Sequence, residues 1–307
     1  MSGLSAIEPA LLIAALISAA TPVLFAALGE LVAERAGVLN LGVEGMMITG
    51  AVCGFAVAVA SGSPALGFLA AAAAGAALAA LFALLTQLAL ANQVASGLAL
   101  TLFGLGLSAL LGQGYQGIKP PPVPRLDAAG LSDLPFLGRA LLSHDAMVYL
   151  GLALALAVAV FLRRSRAGMV LRAVGENHHA AHALGYKVVR TRVLAILFGG
   201  ACAGLGGAHL SLVRVPQWTE GMTAGAGWIA LALVVFASWR AGRVVLGAYI
   251  FGGVSVLQLN LQAAGVDIAA EYLSMSPYLV TILVLVTMSA DRSRAPASLG
   301  RIFHASE

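Results

Sequence analysis

The chain alternates long apolar runs with short polar joints. Runs long enough to cross a bilayer fall at roughly 9–29, 43–60, 66–90, 94–112, 146–162, 193–213, 226–239, 244–262 and 276–290. This pattern predicts an all-α fold, a polytopic membrane helical bundle of about eight to ten transmembrane helices. Residues 1–307 are expected to form a single transmembrane domain. Several runs are short or rich in glycine, so one or two spans are expected to be broken or re-entrant. The first apolar stretch lacks a basic segment before it and a small-residue cleavage site after it, which predicts a retained helix.

Composition agrees with lipid as the main solvent. Hydrophobic residues make up 60% of the chain and charged residues 10%, whereas a soluble domain carries about a quarter charged residues. The net charge of +4 reads as a record of membrane orientation, not of a nucleic-acid partner. Cys53 and Cys202 lie inside apolar runs, where a thiol acts as a small hydrophobe, and their spacing suits neither a disulfide framework nor a zinc cluster.

Loop charge predicts the sides. The stretch 163–192 holds Arg163, Arg164, Arg166, Arg172, Lys187, Arg190 and Arg192 against the single acid Glu176, which makes it cytoplasmic. Arg240 with Arg243, and Arg292, Arg294 and Arg301, are each separated from it by an even number of runs, so the C-terminus is expected on the same side. The segment 113–145, with its KPPPVPR motif, and the acids Asp267 and Glu271 fall on the opposite, external side. Counting back from the basic loop puts the N-terminus outside, unless an early run is re-entrant.

A loop this long among short connections needs a reason. Within GMVLRAVGENHHAAHALG, residues 168–185, Val174, His178, Ala181 and Leu184 or Gly185 recur at helical steps, with Asn177 placed to cap a short helix and Gly185 to end it. Such a helix could rest on anionic lipid. Ala180, Ala181, Ala183 and Gly185 instead give it a small-residue surface with few apolar anchors, which predicts docking in a protein cleft.

The run RAVGENHHAAHALGYKVVRTRVLAILFGGACAGLGG resembles the coupling segment of ATP-binding-cassette (ABC) import permeases, with Glu176, Ala180 or Ala181, and Gly185 in the places of the E-A-A-x-x-x-G theme. ERAGVLNLGVEGMMITGA, residues 34–51, is similar to permeases serving branched-chain amino acids, simple sugars and nucleosides, and most like the purine nucleoside branch. GMTAGAGWIALALVVF at 221–236, with LQLNLQAAGV and PYLVTILVLV further on, extends the resemblance over nearly the whole chain. It implies a type II-like importer permease of the bacterial inner membrane, itself neither an enzyme nor a holder of cofactors. The implied partners are a cytoplasmic ABC ATPase that binds ATP and Mg, a second homologous permease subunit forming a heterodimer, and a periplasmic or lipoprotein substrate-binding protein. Arg172, Gly175, Glu176, Asn177, Ala180, Ala181 and Gly185 would then couple to the ATPase. Neither Lys119 nor Lys187 sits in a phosphate-cradling G-x-x-x-x-G-K-[ST] loop.

Polar residues at membrane depth are functional candidates by default. Glu44 follows Asn40 in NLGVEGMM, where glycines interrupt the run. Such a break exposes backbone N–H groups of the kind transporters use in polar sites. Alternatively, Gly42 and Gly45 allow close packing and Glu44 caps the helix start, balanced by Arg35. Glu30 and Glu34 read as interfacial and structural. Asn92, Gln93 and Ser96 in ANQVASGLAL form either a tight turn or amides lining the path of a polar, uncharged solute. WTEGMTAGAGW at 218–228 echoes the EGM of 44–46, as an inverted repeat would, and Trp228 belongs either to an interfacial aromatic belt or to a stacking surface. Asn40, Glu44, Asn92, Gln93, Ser96 and Trp228 are the candidate pathway residues. His178 and His182 stand i, i+4 but lack a third metal ligand, and read as solvated helix residues. GGACAGLGGAH, 199–209, reads as small-residue helix packing. Rival functions are the same machinery carrying simple sugars or branched-chain amino acids, and an ion-coupled secondary transporter with Glu44 as the ion carrier.

Overall fold

The computed structural model describes residues 8–126, 136, 138–264, 269–288 and 295–304. Its helices in chain order are α1 (Pro9–Arg35), α2 (Val43–Ser61), α3 (Pro64–Ala83), α4 (Gln93–Gly112), α5 (Ala146–Arg164), α6 (Arg166–Glu176), α7 (His178–Ala183), α8 (Val188–His209), α9 (Ala226–Phe236), α10 (Ala241–Ala263) and α11 (Ala270–Met288). Each predicted apolar run coincides with a helix over most of its described residues. Wider π-type turns extend α3 through Leu84–Leu88 and α8 through Leu210–Arg214. Among the described residues, 7 helical segments are long and apolar enough to cross a membrane. Proline at the start of α1 and α3 costs no hydrogen bond there.

The broken element is α9. Its 11 residues span about 16 Å, roughly half of a ~30 Å hydrocarbon core. The chain ahead of it, 215–225, is irregular, and such backbone is tolerated at membrane depth only when buried in protein or lining a cavity.

α1 and α8 form the centre and run antiparallel. Gly29 faces Gly199 and Cys202, Gly206 faces Pro22, and Gly37 lies beside Arg192. α2 and α3 close on α8 just as tightly: Gly50 abuts Gly204, Gly75 abuts Gly200, and a Cβ at any of these glycines would run into facing backbone. Lipid gives helices little hydrophobic reason to associate, so backbone approach through small residues supplies the contact. The 199–209 cluster is therefore a packing seam.

Two ends of the bundle are distinct. At one, the basic end, the α1–α2 turn, α6, α7, the start of α4 and the segment 295–304 meet, with Ser298 N–H on the Gly175 carbonyl at 2.9 Å and Gly300 N–H on Gly37 at 3.2 Å. At the other, Gly112 packs under the Trp218 indole and His209 Nε2 lies 3.4 Å from Asp145 Oδ2. Burial favours a neutral Asp145, but the His209 bond and charge, with the Met147 and Val148 amides, outweigh it and hold the carboxyl below its ordinary range. Arg240 and Arg301 share the basic end. Arg292, Arg294 and Asp267, with 127–135 and 137 of the predicted external loop, lie outside the described residues.

Candidate functional site

The junction between α2 and α9 is built around Glu44, only 3% exposed. Gly42 starts α2, and the Asn40 side-chain carbonyl accepts the Gly42 N–H at 3.0 Å, turning the chain into the helix. One Glu44 oxygen, Oε1, accepts from the Thr223 hydroxyl at 2.6 Å and from Gly225 N–H at 2.9 Å. The other, Oε2, accepts from Gly227 N–H at 2.6 Å. The free backbone donors expected at a half-helix start therefore belong to α9, and a carboxylate from another helix caps them where the helix dipole is positive. The two EGM echoes are neighbours in space. Gly227 is required there, because a Cβ would strike the Glu44 backbone and carboxylate, and Gly225 caps α9 at φ +83°, in the left-handed region.

Arg35 does not balance Glu44. Its guanidinium donates to the Trp239 carbonyl at 3.2 and 2.9 Å, at the far end of α9. Glu30 and Glu34 are buried: Glu30 Oε1 accepts the Asn40 N–H at 3.2 Å and Glu34 accepts the Trp239 indole N–H. One oxygen of each has no partner among the described residues.

The candidate pathway residues divide into two groups. Asn40, Glu44 and Trp228 share the junction, with the Trp228 indole N–H 3.4 Å from the Leu41 carbonyl. Trp228 is 47% exposed, and eight helical residues, about 12 Å, separate it from the Phe236 end of α9. Tyr278 of α11, also half-exposed, donates to the Ala224 carbonyl at 2.7 Å. Asn92, Gln93 and Ser96 stand at the start of α4 toward the basic end. Asn92 caps that helix by accepting Ala95 N–H at 3.0 Å, Ser96 is buried, and Gln93 is a latch that accepts Leu39 N–H at 2.9 Å and donates to the Arg301 carbonyl at 3.4 Å.

The basic segment folds into a hairpin of two helices. Asn177 ends α6 and caps α7 by accepting Ala180 N–H at 2.9 Å, and Gly185 turns the chain away at φ +84°. Gly175 lies so close to the Arg35 carbonyl that a Cβ has no room. Ala181 is buried, whereas Glu176, Ala180, Ala183 and Leu184 face outward. Arg172 Nε is buried without a partner among the described residues.

His178 corrects the sequence reading, which left it solvated: it is 3% exposed. Its ring packs edge-on to Phe303 at 5.4 Å, and its Nδ1 lies 3.2 Å from Arg192 Nη2. Arginine only donates, so Nδ1 accepts and the ring is neutral. Burial, reinforced by the charges of Arg192, His179 and Arg301, pushes the imidazole down to about 4. The segment 295–304 holds this hairpin: Ser298 Oγ accepts His178 N–H and donates to the Glu176 carbonyl, each at 3.3 Å. Arg192, one turn into α8 and fully buried, donates to Ala36 O at 3.2 Å and Arg301 O at 3.0 Å.

Sequence reasoning missed Arg192, Thr223 and the 295–304 strap. The last arginine of the basic stretch, directly ahead of apolar sequence, was the available signal for the first, and a hydroxyl just ahead of a glycine-rich helix start for the second. Nothing local marks the strap.

The family model for "Branched-chain amino acid transport system / permease component" matches residues 12–288. The putative glucose ABC transporter permease TsgC13 of Haloferax volcanii is 43% identical, covering 89% of this chain and 90% of its own length. The guanosine ABC transporter permease NupQ of Bacillus subtilis is 33% identical, covering 97% and 96%. The nucleoside ABC transporter permease NupC of Lactococcus lactis is 30% identical, covering 90% and 91%. No solved structure matches the chain. With a hydrophobic helical bundle, a half-helix capped across the protein and a match over nearly its whole length, the chain belongs to the permease-component family of branched-chain amino acid transport systems and is a multi-pass ABC transporter permease.

Proposed function

We propose that the protein is the membrane subunit of an ABC importer for nucleosides, with purine nucleosides as the cargo. The observation that carries this reading is the pair of half-exposed aromatics, Trp228 and Tyr278, at the junction beside a Glu44 whose carboxylate is already engaged by three donors. A flat base can stack on such rings, and the Glu44 carboxylate, already taken by its three donors, does not call for a cationic cargo. The relatives named for guanosine and nucleosides, aligned over nine-tenths or more of this chain, support the same class.

In this reading the basic end is cytoplasmic, as its arginines require, and the C-terminus lies there too. The α6–α7 hairpin receives a separate ATPase on the outward face of Glu176, Ala180 and Gly185. A second permease subunit completes the pathway, and a substrate-binding protein delivers cargo from outside. ATP and Mg belong to the ATPase. An engaged Glu44 also argues against an ion-carrying role.

A second reading, a hexose as cargo, is favoured by the 43% identity to a putative glucose permease. Titrating the purified partner binding protein with guanosine, adenosine, inosine and glucose by calorimetry separates the two. Binding of guanosine, adenosine or inosine is expected, and a protein that takes up glucose while ignoring all three nucleosides refutes the first reading.

A further inference from the structure

At the tip of the α6–α7 hairpin, Leu184 is 77% exposed, more than any other large apolar side chain among the described residues. Leu102 at 70% and Leu156 at 68% come near it, but they belong to α4 and α5, spanning segments whose solvent is lipid. Leu184 instead stands between the histidines of α7 and the cations Lys187 and Arg190, and Tyr186, two residues on, is 42% exposed. We infer that Leu184, joined by Tyr186, is the apolar anchor of the ATPase contact, seated in a cleft with an apolar floor and an acidic rim. The inference rests on the reading of this hairpin as the ATPase-docking element.

The turn that presents the two side chains is fixed by its backbone. Gly185 N–H donates to the His182 carbonyl at 2.8 Å and Tyr186 N–H to the Ala181 carbonyl at 3.1 Å, the paired bonds of a Schellman stop. Underneath, Val174, Ala181, Val188 and Phe303 pack into a small core of their own, so the hairpin is held together without Leu184. A leucine kept in water on a rigid turn gains by burial against a partner, and it loses little freedom when it binds. A few such side chains carry most of an interface's binding energy. Ala180 and Ala183 also face outward, and their small size lets a partner surface close around the knob.

Charge selects the partner. Lys187 and Arg190 are exposed and form no ion pair among the described residues. In water they need no counter-ion, so they are not the reason for the site; they attract an acidic rim to it and repel a basic one. Glu176, the single acid of the hairpin, also faces outward and marks where that rim is neutral or basic. An anionic bilayer attracts the same cations, but one leucine and one tyrosine at the end of a six-residue helix offer it little apolar surface.

Two measurements test this on the permease in nanodiscs of phosphatidylglycerol and phosphatidylcholine, with its partner ATPase added. The first is the affinity of the ATPase. Leu184→Ala is expected to weaken it about thirtyfold, as loss of most of a buried leucine side chain does, and Leu184→Met to recover most of that. Lys187→Gln/Arg190→Gln is expected to weaken it at low salt and to flatten its salt dependence; an unchanged salt dependence would overturn the acidic rim. Affinity within about twofold of wild type in Leu184→Ala, with Ala180→Trp losing the ATPase, would overturn the anchor and leave the hairpin as the docking element. Unchanged affinity in both would overturn the docking reading as well. The second is a nitroxide at Leu184→Cys, with Cys53 and Cys202 replaced by Ala. It is expected to meet a water-soluble nickel complex in the permease alone and to be shielded once the ATPase binds. Preferential contact with lipid-dissolved oxygen in both states would overturn the anchor and seat the tip in the bilayer.

Discussion

Glu44 carries three hydrogen bonds, so its replacement has a calculable cost. In Glu44→Ala the Thr223 hydroxyl can rotate to another acceptor, but the Gly225 and Gly227 amides cannot. Each buried orphan donor costs about 1–3 kcal/mol, and loss of the negative charge at the α9 start adds about 1 kcal/mol. Water reaching the half-exposed rim beside Trp228 offsets part of this, which places the total near 3 kcal/mol, the lower half of that range. Glu44→Gln keeps one acceptor but turns an amide NH₂ toward a donor, for about 2 kcal/mol. Thr223→Val removes one bond, for about 1 kcal/mol. Thermal or SDS-induced unfolding of the detergent-purified chain should rank the variants in that order. The reasoning fails if Glu44→Ala lies within about 0.5 kcal/mol of wild type, the scatter of an ordinary surface change, or if Thr223→Val is the worst of the three. ATP-driven uptake by Glu44→Gln should keep the wild-type pH profile, since the carboxylate is a cap; a profile that goes flat would mean that Glu44 carries a proton.

Further outcomes follow from the basic end and the packing seam. Replacing Gly185, at φ +84°, with Val forces a β-branched residue into the left-handed region at about 1–2 kcal/mol, and should abolish uptake with membrane insertion intact, as scored by fractionation beside transport. Neutral His178 packs against Arg192 and Arg301, with His179 and His182 on its own helix; its value of about 4 lies below the ordinary 6.5, so the released ring binds a proton that the docked ring refuses. Docking of α7 should therefore be strongest above about pH 6.5 and weaken progressively as pH falls toward 4, and hydrogen exchange over 176–184 should rise across that window; a flat profile removes the linkage. Gly204→Leu drives a side chain into the Ala71 carbonyl and the Gly75 backbone and should cost several kcal/mol, about 3 or more by comparison with other overpacked cores, visible as loss of the monodisperse peak in size-exclusion chromatography.

The helices were legible because lipid demands long apolar runs, but the break was read at NLGVEGMM ahead of Glu44, whereas the half-length helix is α9. The α7 cap and stop were legible for a local reason: Asn177 and Gly185 act through backbone geometry within a few residues of themselves. Glu44 was recognisable as costly, yet not its use, since its donors stand some 180 residues further on. His178 was misjudged because its periodicity fits a helix face equally well in water or under a strap, and only the distant Phe303 and Ser298 decide between them. Arg192 was counted with the loop charges, although its carbonyl partners come from the α1–α2 turn and the C-terminal strap. Apart from the break, what failed was contact across long sequence separation, which no local pattern encodes.

Those same distant contacts join the two functional regions. Glu176 is bonded to Ser298, Gly300 to Gly37, and the Arg301 carbonyl takes donors from both Arg192 and Gln93. Gln93 in turn accepts Leu39 N–H, and Asn40 then leads through Gly42 into the helix that carries Glu44. A route from the α6–α7 hairpin to the α9 start thus runs through the bonds of the α1–α2 turn and the Gln93 and Glu44 side chains. Continuity alone does not establish energetic coupling; a shared two-state element does. Phe303→Ala loosens the strap and Thr223→Val loosens the junction, and the two sites share no direct contact. If the turn transmits, the two changes together should alter the free energy of activation for ATP-driven uptake by clearly more or less than their sum, beyond the ~0.5 kcal/mol within which independent sites add. Additivity within that margin, with ATP hydrolysis unchanged in both single variants, would show that the hairpin and the junction work through separate routes.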